Sequence, residues 1–92
     1  EMAGVVAVIV RLMPDSVDED LEMIKEESER VLTAEGAKNL SFEEKPMAFG
    51  LKAIFAKFAF PEDKGTDVIE DILGKVKGVS SISIEDIRRA FG

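Results

Sequence analysis

The side chains of this chain that could move a proton or hold a cation are carboxylates, and they come in clusters: Asp18-Glu19-Asp20, Glu26-Glu27, Glu43-Glu44 and Glu70-Asp71. Two of them brought together would make an acid–base pair or a magnesium site. Their placement points elsewhere, because most fall on the polar faces of predicted helices or at helix starts, where they cap and solubilise. No other group is there to assist them. Histidine and cysteine are absent, which removes the Ser-His-Asp triad, an imidazole base, His-ligated zinc, thiolate metal sites and disulfides together. Tyr and Trp are missing as well, and neither a glycine-rich phosphate loop nor an EF-hand spacing occurs. The residues therefore predict no catalytic group, no cofactor and no metal: a protein that acts without covalent chemistry.

Two stretches fall outside this pattern. The first is Arg88-Arg89 with Phe91, where two guanidiniums and an aromatic gather in a chain of net charge -7. Two readings stand side by side: a solvated terminus with Phe91 folded onto the sheet, or a contact surface for an acidic or phosphate-bearing partner. The second is Pro46-Met47-Ala48-Phe49-Gly50-Leu51-Lys52-Ala53-Ile54. Here a large aromatic stands beside a glycine where a strand begins, close to the surface. Such a residue either caps the core or inserts into a partner.

The elements that must position these residues can be read from periodicity. Residues 4 to 13 (GVVAVIVRLM) are a β-branched apolar run ended by Pro14, hence a central strand. Ser16 and Glu19 have capping-box spacing, and Val17, Leu21, Ile24, Val31 and Leu32 keep helical spacing, so a helix is expected from that cap to Gly36. Residues 37 to 44 alternate weakly, with Leu40 and Phe42 on one side, as an edge strand does. Residues 48 to 60 form a long strand with Ile54, Ala56, Phe58 and Phe60 on one face. Thr66 or Asp67 can cap a second helix over residues 68 to 76, within which Gly74 marks an early end or a close contact. Residues 79 to 87 make the last strand.

The order β-α-β-β-α-β predicts an α+β ferredoxin-like sandwich, a four-stranded antiparallel sheet with two helices on one face. Its other face is open, and its apolar residues are to be drawn from candidates that include Val6, Val8, Val10, Leu51 and Phe55, since the sequence does not fix the facing of each strand and a one-residue bulge would invert it. Ninety-two residues suit one domain, read as 2–92, with Glu1 a remnant of expression cloning before a natural start at Met2. No run is long enough to span a bilayer. The acidic balance argues against direct nucleic-acid binding, and the lack of cysteine fits a cytoplasmic protein. A monomer is expected.

With these elements in hand, the Pro46-Met47-Ala48-Phe49-Gly50-Leu51-Lys52 block and the closing Asp86-Ile87-Arg88-Arg89 together resemble translation elongation factor 1-beta in its short archaeal form, over essentially the whole chain from Met2. The resemblance implies a guanine-nucleotide exchange factor for the GTPase elongation factor 1-alpha. It implies that Phe49 inserts into a pocket on the GTPase; Met47, Gly50 and Lys52 around it, and Arg88, Arg89 and Phe91 by residue type, are the further candidate partner-binding residues. The related eukaryotic factors place a lysine near the extreme C-terminus at the magnesium and phosphate site. This chain has no lysine after Lys77, and that role is not carried over. The rival reading is a small-molecule-binding regulatory module of the same topology. An RNA-binding sandwich would stack bases on exposed sheet aromatics drawn from Phe55, Phe58 and Phe60.

Overall fold

The alternation in the first strand is settled by its pairing with the third. The computed structural model describes residues 4–90, with Ala90 described by its backbone. The elements are β1 (Val5–Pro14), α1 (Leu21–Ala34), β2 (Lys38–Pro46), β3 (Lys52–Pro61), α2 (Thr66–Gly74) and β4 (Val79–Ala90). The sheet order is β2-β3-β1-β4 and every neighbouring pair is antiparallel. This is the expected ferredoxin-like arrangement, with β2 on an edge.

Opposed residues share a face of a sheet. Val6, Val8, Val10 and Leu12 oppose Phe60, Phe58, Ala56 and Ile54. All eight therefore point toward the helices, and all but the half-buried Val6 are fully buried against Ile24 and Leu32 of α1 and Ile69 and Leu73 of α2. Phe58 and Phe60 meet edge to face with centroids 5.9 Å apart. The open face is made by the residues in between, Ala7, Ile9, Arg11, Phe55, Lys57 and Ala59. Of the candidates for the open face, Phe55 lies there, while Val6, Val8 and Val10 face the helices. The physical reason is volume: the Val/Leu set fills a helix-covered core that the Ala/Ile/Arg set would leave voided or charged. Phe55 is covered by the Lys45 ammonium, 4.5 Å from its ring centroid.

Several boundaries move. α1 begins at Leu21, capped by the Asp20 carboxylate, which accepts from the N–H groups of Glu22 and Met23 at 3.1 and 3.2 Å. Ser16 instead closes a local turn, its hydroxyl accepting from the Asp18 N–H at 3.2 Å. The Ser16–Glu19 capping box is therefore not formed, because a carboxylate closer to the apolar stripe takes the cap. α2 is entered through Gly65, whose φ of 85° bends the chain, and no side chain caps it; Thr66 and Asp67 lie inside its first turn. It ends at Gly74, where a Cβ would meet open space, so this glycine ends a helix and makes no close contact. β3 starts at Lys52, leaving Phe49 in the preceding turn. β4 runs on to Ala90, because Val5, Ala7 and Val6 offer partners to Ala90, Arg88 and Arg89. A bulge between the Ile9 and Val10 pairings leaves Glu85 unopposed. It sits 3.7 Å from the Arg11 guanidinium.

Lys25 of α1 ties the helix layer to the edge strand. Its ammonium is 2.7 Å from Glu44 and 3.0 Å from Glu22, with both Lys25 and Glu44 partly shielded. The hydrogen bond from Lys25 holds the Glu44 carboxyl below its ordinary value of 4.5, and the Glu44 bond holds Lys25 above 10.5. A lowered carboxyl stabilises the fold above pH 4.5 and loses that contribution as pH falls through its folded value. Thermal unfolding of Glu44→Gln therefore shows a deficit at neutral pH that narrows below pH 4.5, as the wild-type carboxyl takes up its proton. A deficit that stays constant into acid would mean that packing, and not charge, carries the contact.

Candidate protein-docking site

A hairpin turn joins β2 to β3, and its chemistry explains the position of Phe49. Met47 is extended and its N–H donates to the Leu51 carbonyl at 2.7 Å; the Leu51 N–H donates to the Ala48 carbonyl at 3.3 Å. Between them Phe49 has φ 63° and ψ 28°, and Gly50 has φ 77°. Two positive φ values inside an i to i+3 hydrogen bond are the marks of a type I′ turn, the form whose twist suits a tight hairpin. Glycine adopts the second position without a steric penalty, whereas phenylalanine in the first costs about 1–2 kcal/mol.

The outcome is a phenylalanine 94% exposed to solvent, so the core-capping reading of Phe49 is excluded. Burial of such a ring would be worth about 1.5–3 kcal/mol, and the chain forgoes it while also accepting a left-handed backbone at the same residue. Met47 is exposed beside it, and Lys52 is the first residue of β3, opposite Pro46. The turn and its flanks bring Phe49, Met47, Gly50 and Lys52 together at one end of the sheet.

The arginines lie at the other end. Arg88 opposes Ala7 on the open face and is 2.9 Å from Asp86; Arg89 opposes Val6 on the helix side and is paired with Glu62. Since Val6 is level with Phe60, and Lys52 stands eight residues before Phe60 in β3, the two groups are about 26 Å apart along the strands at ~3.3 Å per residue. Both arginines are strand residues paired with Ala7 and Val6, and their side chains stand largely in solvent. Phe91 lies outside the described residues.

Two exposed apolar residues were not singled out from sequence: Val17, in the β1–α1 loop, and Met23, in the first turn of α1. Val17 was read as part of the helical stripe, and its exposure follows from the later helix start at Asp20. Among the described residues, no group of three or more His, Cys, Asp or Glu side chains is placed to hold a metal ion. No helix among them is long and apolar enough to cross a membrane. Phe58 and Phe60 are in the core, which leaves Phe55 as the aromatic on the open face among the described residues and removes the stacking platform that RNA recognition needs.

A ferredoxin-like sandwich that carries an unburied aromatic on a strained turn has the form of a docking module, and comparison gives it a lineage. The EF-1 guanine nucleotide exchange domain matches residues 7–90, and the chain belongs to that family. It is similar to the elongation factor 1-beta of Methanocella arvoryzae, with 45% identity over 91 residues, 98% of this chain and 100% of the relative. It is also similar to the elongation factors 1-beta of Haloarcula marismortui, at 39% over 94% of this chain and 98% of the relative, and Methanothermobacter thermautotrophicus, at 38% over 94% and 97%. These relatives and the family domain support a guanine nucleotide exchange role in translation elongation. Among solved structures, LarC2, the C-terminal domain of a cyclometallase involved in synthesis of the NPN cofactor of lactate racemase, shares the fold. Its TM-score is 0.65 at 14% identity, over 94% of this chain and 56% of that one.

The turn makes its own prediction. A Cβ on Gly50 would meet Val17 Cγ1 at 3.7 Å, an ordinary contact, so substitution there is opposed by the backbone and not by crowding. Gly50→Ala is expected to cost about 1 kcal/mol in urea unfolding and Gly50→Asn less, since asparagine tolerates the left-handed region. Equal losses for the two would show that the positive φ is not what the turn requires of this position.

Proposed function

We propose that this protein accelerates GDP/GTP exchange on elongation factor 1-alpha, and that Phe49 is the side chain it inserts into the GTPase. The observation that carries this reading is the solvent exposure of Phe49 on a turn that holds it away from its own core. Exchange needs no acid, base or nucleophile. The factor must bind the nucleotide-free GTPase more tightly than the loaded one, and by reciprocity nucleotide affinity then falls by the same factor. A hundredfold effect requires about 2.8 kcal/mol of differential binding, and burying one phenylalanine supplies about 1.5–3 kcal/mol.

Met47, Gly50 and Lys52 surround the insertion and shape its footprint. Arg88 and Arg89 contact a separate part of the GTPase, because the strands hold them a sheet's length away. The absence of His and Cys is no handicap for such work. The factor acts as a monomer in this reading: edge strand β2 carries Lys38, Lys45, Pro46 and a register break beside Asn39, features that discourage pairing with a second sheet. The cytoplasm, where elongation proceeds, is the compartment it implies.

Release of labelled GDP from elongation factor 1-alpha tests the proposal. Wild type accelerates release, and Phe49→Ala loses about tenfold or more of that effect. The variant's unfolding free energy stays within about 0.5 kcal/mol, as expected for an exposed position. Full acceleration by Phe49→Ala would remove the residue from the interface, and no acceleration by wild type would overturn the function.

A further inference from the structure

Among the described residues, the large apolar side chains left most open to solvent are Val17, Met23, Met47, Phe49 and Ile87. Three of the five, Val17, Met47 and Phe49, belong to the end of the molecule where the β1–α1 loop meets the β2–β3 turn, while Met23 lies on the first turn of α1 beside Lys75 and Lys77. Val17 is 60% exposed and sits against the turn, within contact distance of a Cβ built on Gly50. A recess of about 160 Å³ lies between the two segments, with Ser16, Val17 and Glu19 on the loop side and Gly50 and Lys52 on the turn side.

The loop is anchored along its length. The Asp15 N–H donates to the Gly78 carbonyl at 2.8 Å, the Asp18 N–H to the Ser16 hydroxyl at 3.2 Å, and Asp20 is spent on capping α1. Val17 is thus a stiff, β-branched side chain on a held loop, adjacent to the exposed aromatic. Its neighbours Asp15, Asp18 and Glu19 form no ion pair among the described residues.

We infer that Val17 is a second apolar contact for the GTPase, covering the surface beside the pocket that takes Phe49. This rests on the proposed exchange reading and extends it to a loop that the sequence assigned to a helix. Charge favours this occupant: Val17 lies on a loop whose three carboxylates are in no ion pair among the described residues, with Lys52 across the recess, and it fits a partner strip that is apolar at its centre and presents basic groups to the loop. A second copy of this acidic chain would bring carboxylates against carboxylates.

The test is a titration of GDP release against factor concentration, for wild type, Val17→Ser, Val17→Ile and Phe49→Ala, and for Val17→Ser combined with Phe49→Ala. Val17→Ser is expected to raise the half-maximal concentration by about tenfold, the worth of one buried valine side chain, while Val17→Ile keeps wild-type behaviour. The same fold loss is expected in the Phe49→Ala background, as for two separate contacts. A loss that vanishes there would make Val17 a mere prop for Phe49 and overturn the inference. Stimulation by Val17→Ser equal to that of wild type would overturn it while leaving the exchange reading standing. No stimulation by wild type would remove both. Self-association of wild type that Val17→Ser abolishes, seen by sedimentation, would assign the patch to a second copy instead and overturn the inference.

Discussion

The register between β1 and β3 is the constraint on which the rest of this molecule depends. One residue of slip in Leu12↔Ile54, Val10↔Ala56 and Val8↔Phe58 would turn the large side chains of one strand to the uncovered face and send Arg11 and Ile9 toward the helices. Burial of an arginine without compensation is costly enough to exclude that alternative. With the register set, β3 must leave β2 at Lys52, and the connection shrinks to the few residues that present Phe49. The Phe49 end is in this sense a product of the core, since the exposed aromatic stands where it does because Ile54, Phe58 and Phe60 do not.

Much of this was legible in the chain. The element order, the edge position of β2 and the shared face of Ile54, Ala56, Phe58 and Phe60 follow from alternation and from Gly36 and Pro61 as breaks. What was not legible was the facing of β1. Its apolar side chains lie on both faces, with Ala7 and Ile9 alternating with Val8 and Val10, so periodicity alone carries no sign. Only the partner strand supplies it. The start of α1 was missed for a related reason. Ser16-x-x-Glu19 and Asp20 offer competing caps within a few residues, and the winner is decided by where Leu21 and Ile24 must meet the sheet. For the site, the Phe49-Gly50 pair announced itself by residue type, but Val17 looked like part of a helical stripe until the cap moved.

Phe49 breaks two local preferences at once, exposure and backbone conformation, while its surroundings satisfy theirs. Met47 is extended, Gly50 occupies the left-handed position that favours glycine, and the hairpin hydrogen bonds close in good geometry. A local violation inside an otherwise consistent neighbourhood is the pattern expected where a structure serves something other than its own stability. Membership of the exchange-domain family gives that something a direction. The type I′ turn also fixes the backbone in advance, so an incoming partner need not order it, and more of the ring's burial remains available as binding energy.

The distribution of charge bears on how such a tip would be used. On the helix layer the cations are largely held: Lys25, Arg30, Lys64, Lys75 and Arg89 each sit in an ion pair. The loop beside Phe49 carries Asp15, Asp18 and Glu19 outside any ion pair among the described residues, with Lys52 across the recess, so the apolar end presents carboxylates on the loop and an ammonium on the strand. At physiological salt the field of these groups fades over about 8 Å. In the proposed exchange role it would act only in the last step of approach, helping to orient the Phe49 end before the ring makes contact. Orientation by charge and retention by apolar burial would then fall to neighbouring residues of one loop-and-turn unit. On the proposed reading, that separation would let a small domain without histidine or cysteine influence another protein's nucleotide by where it binds alone.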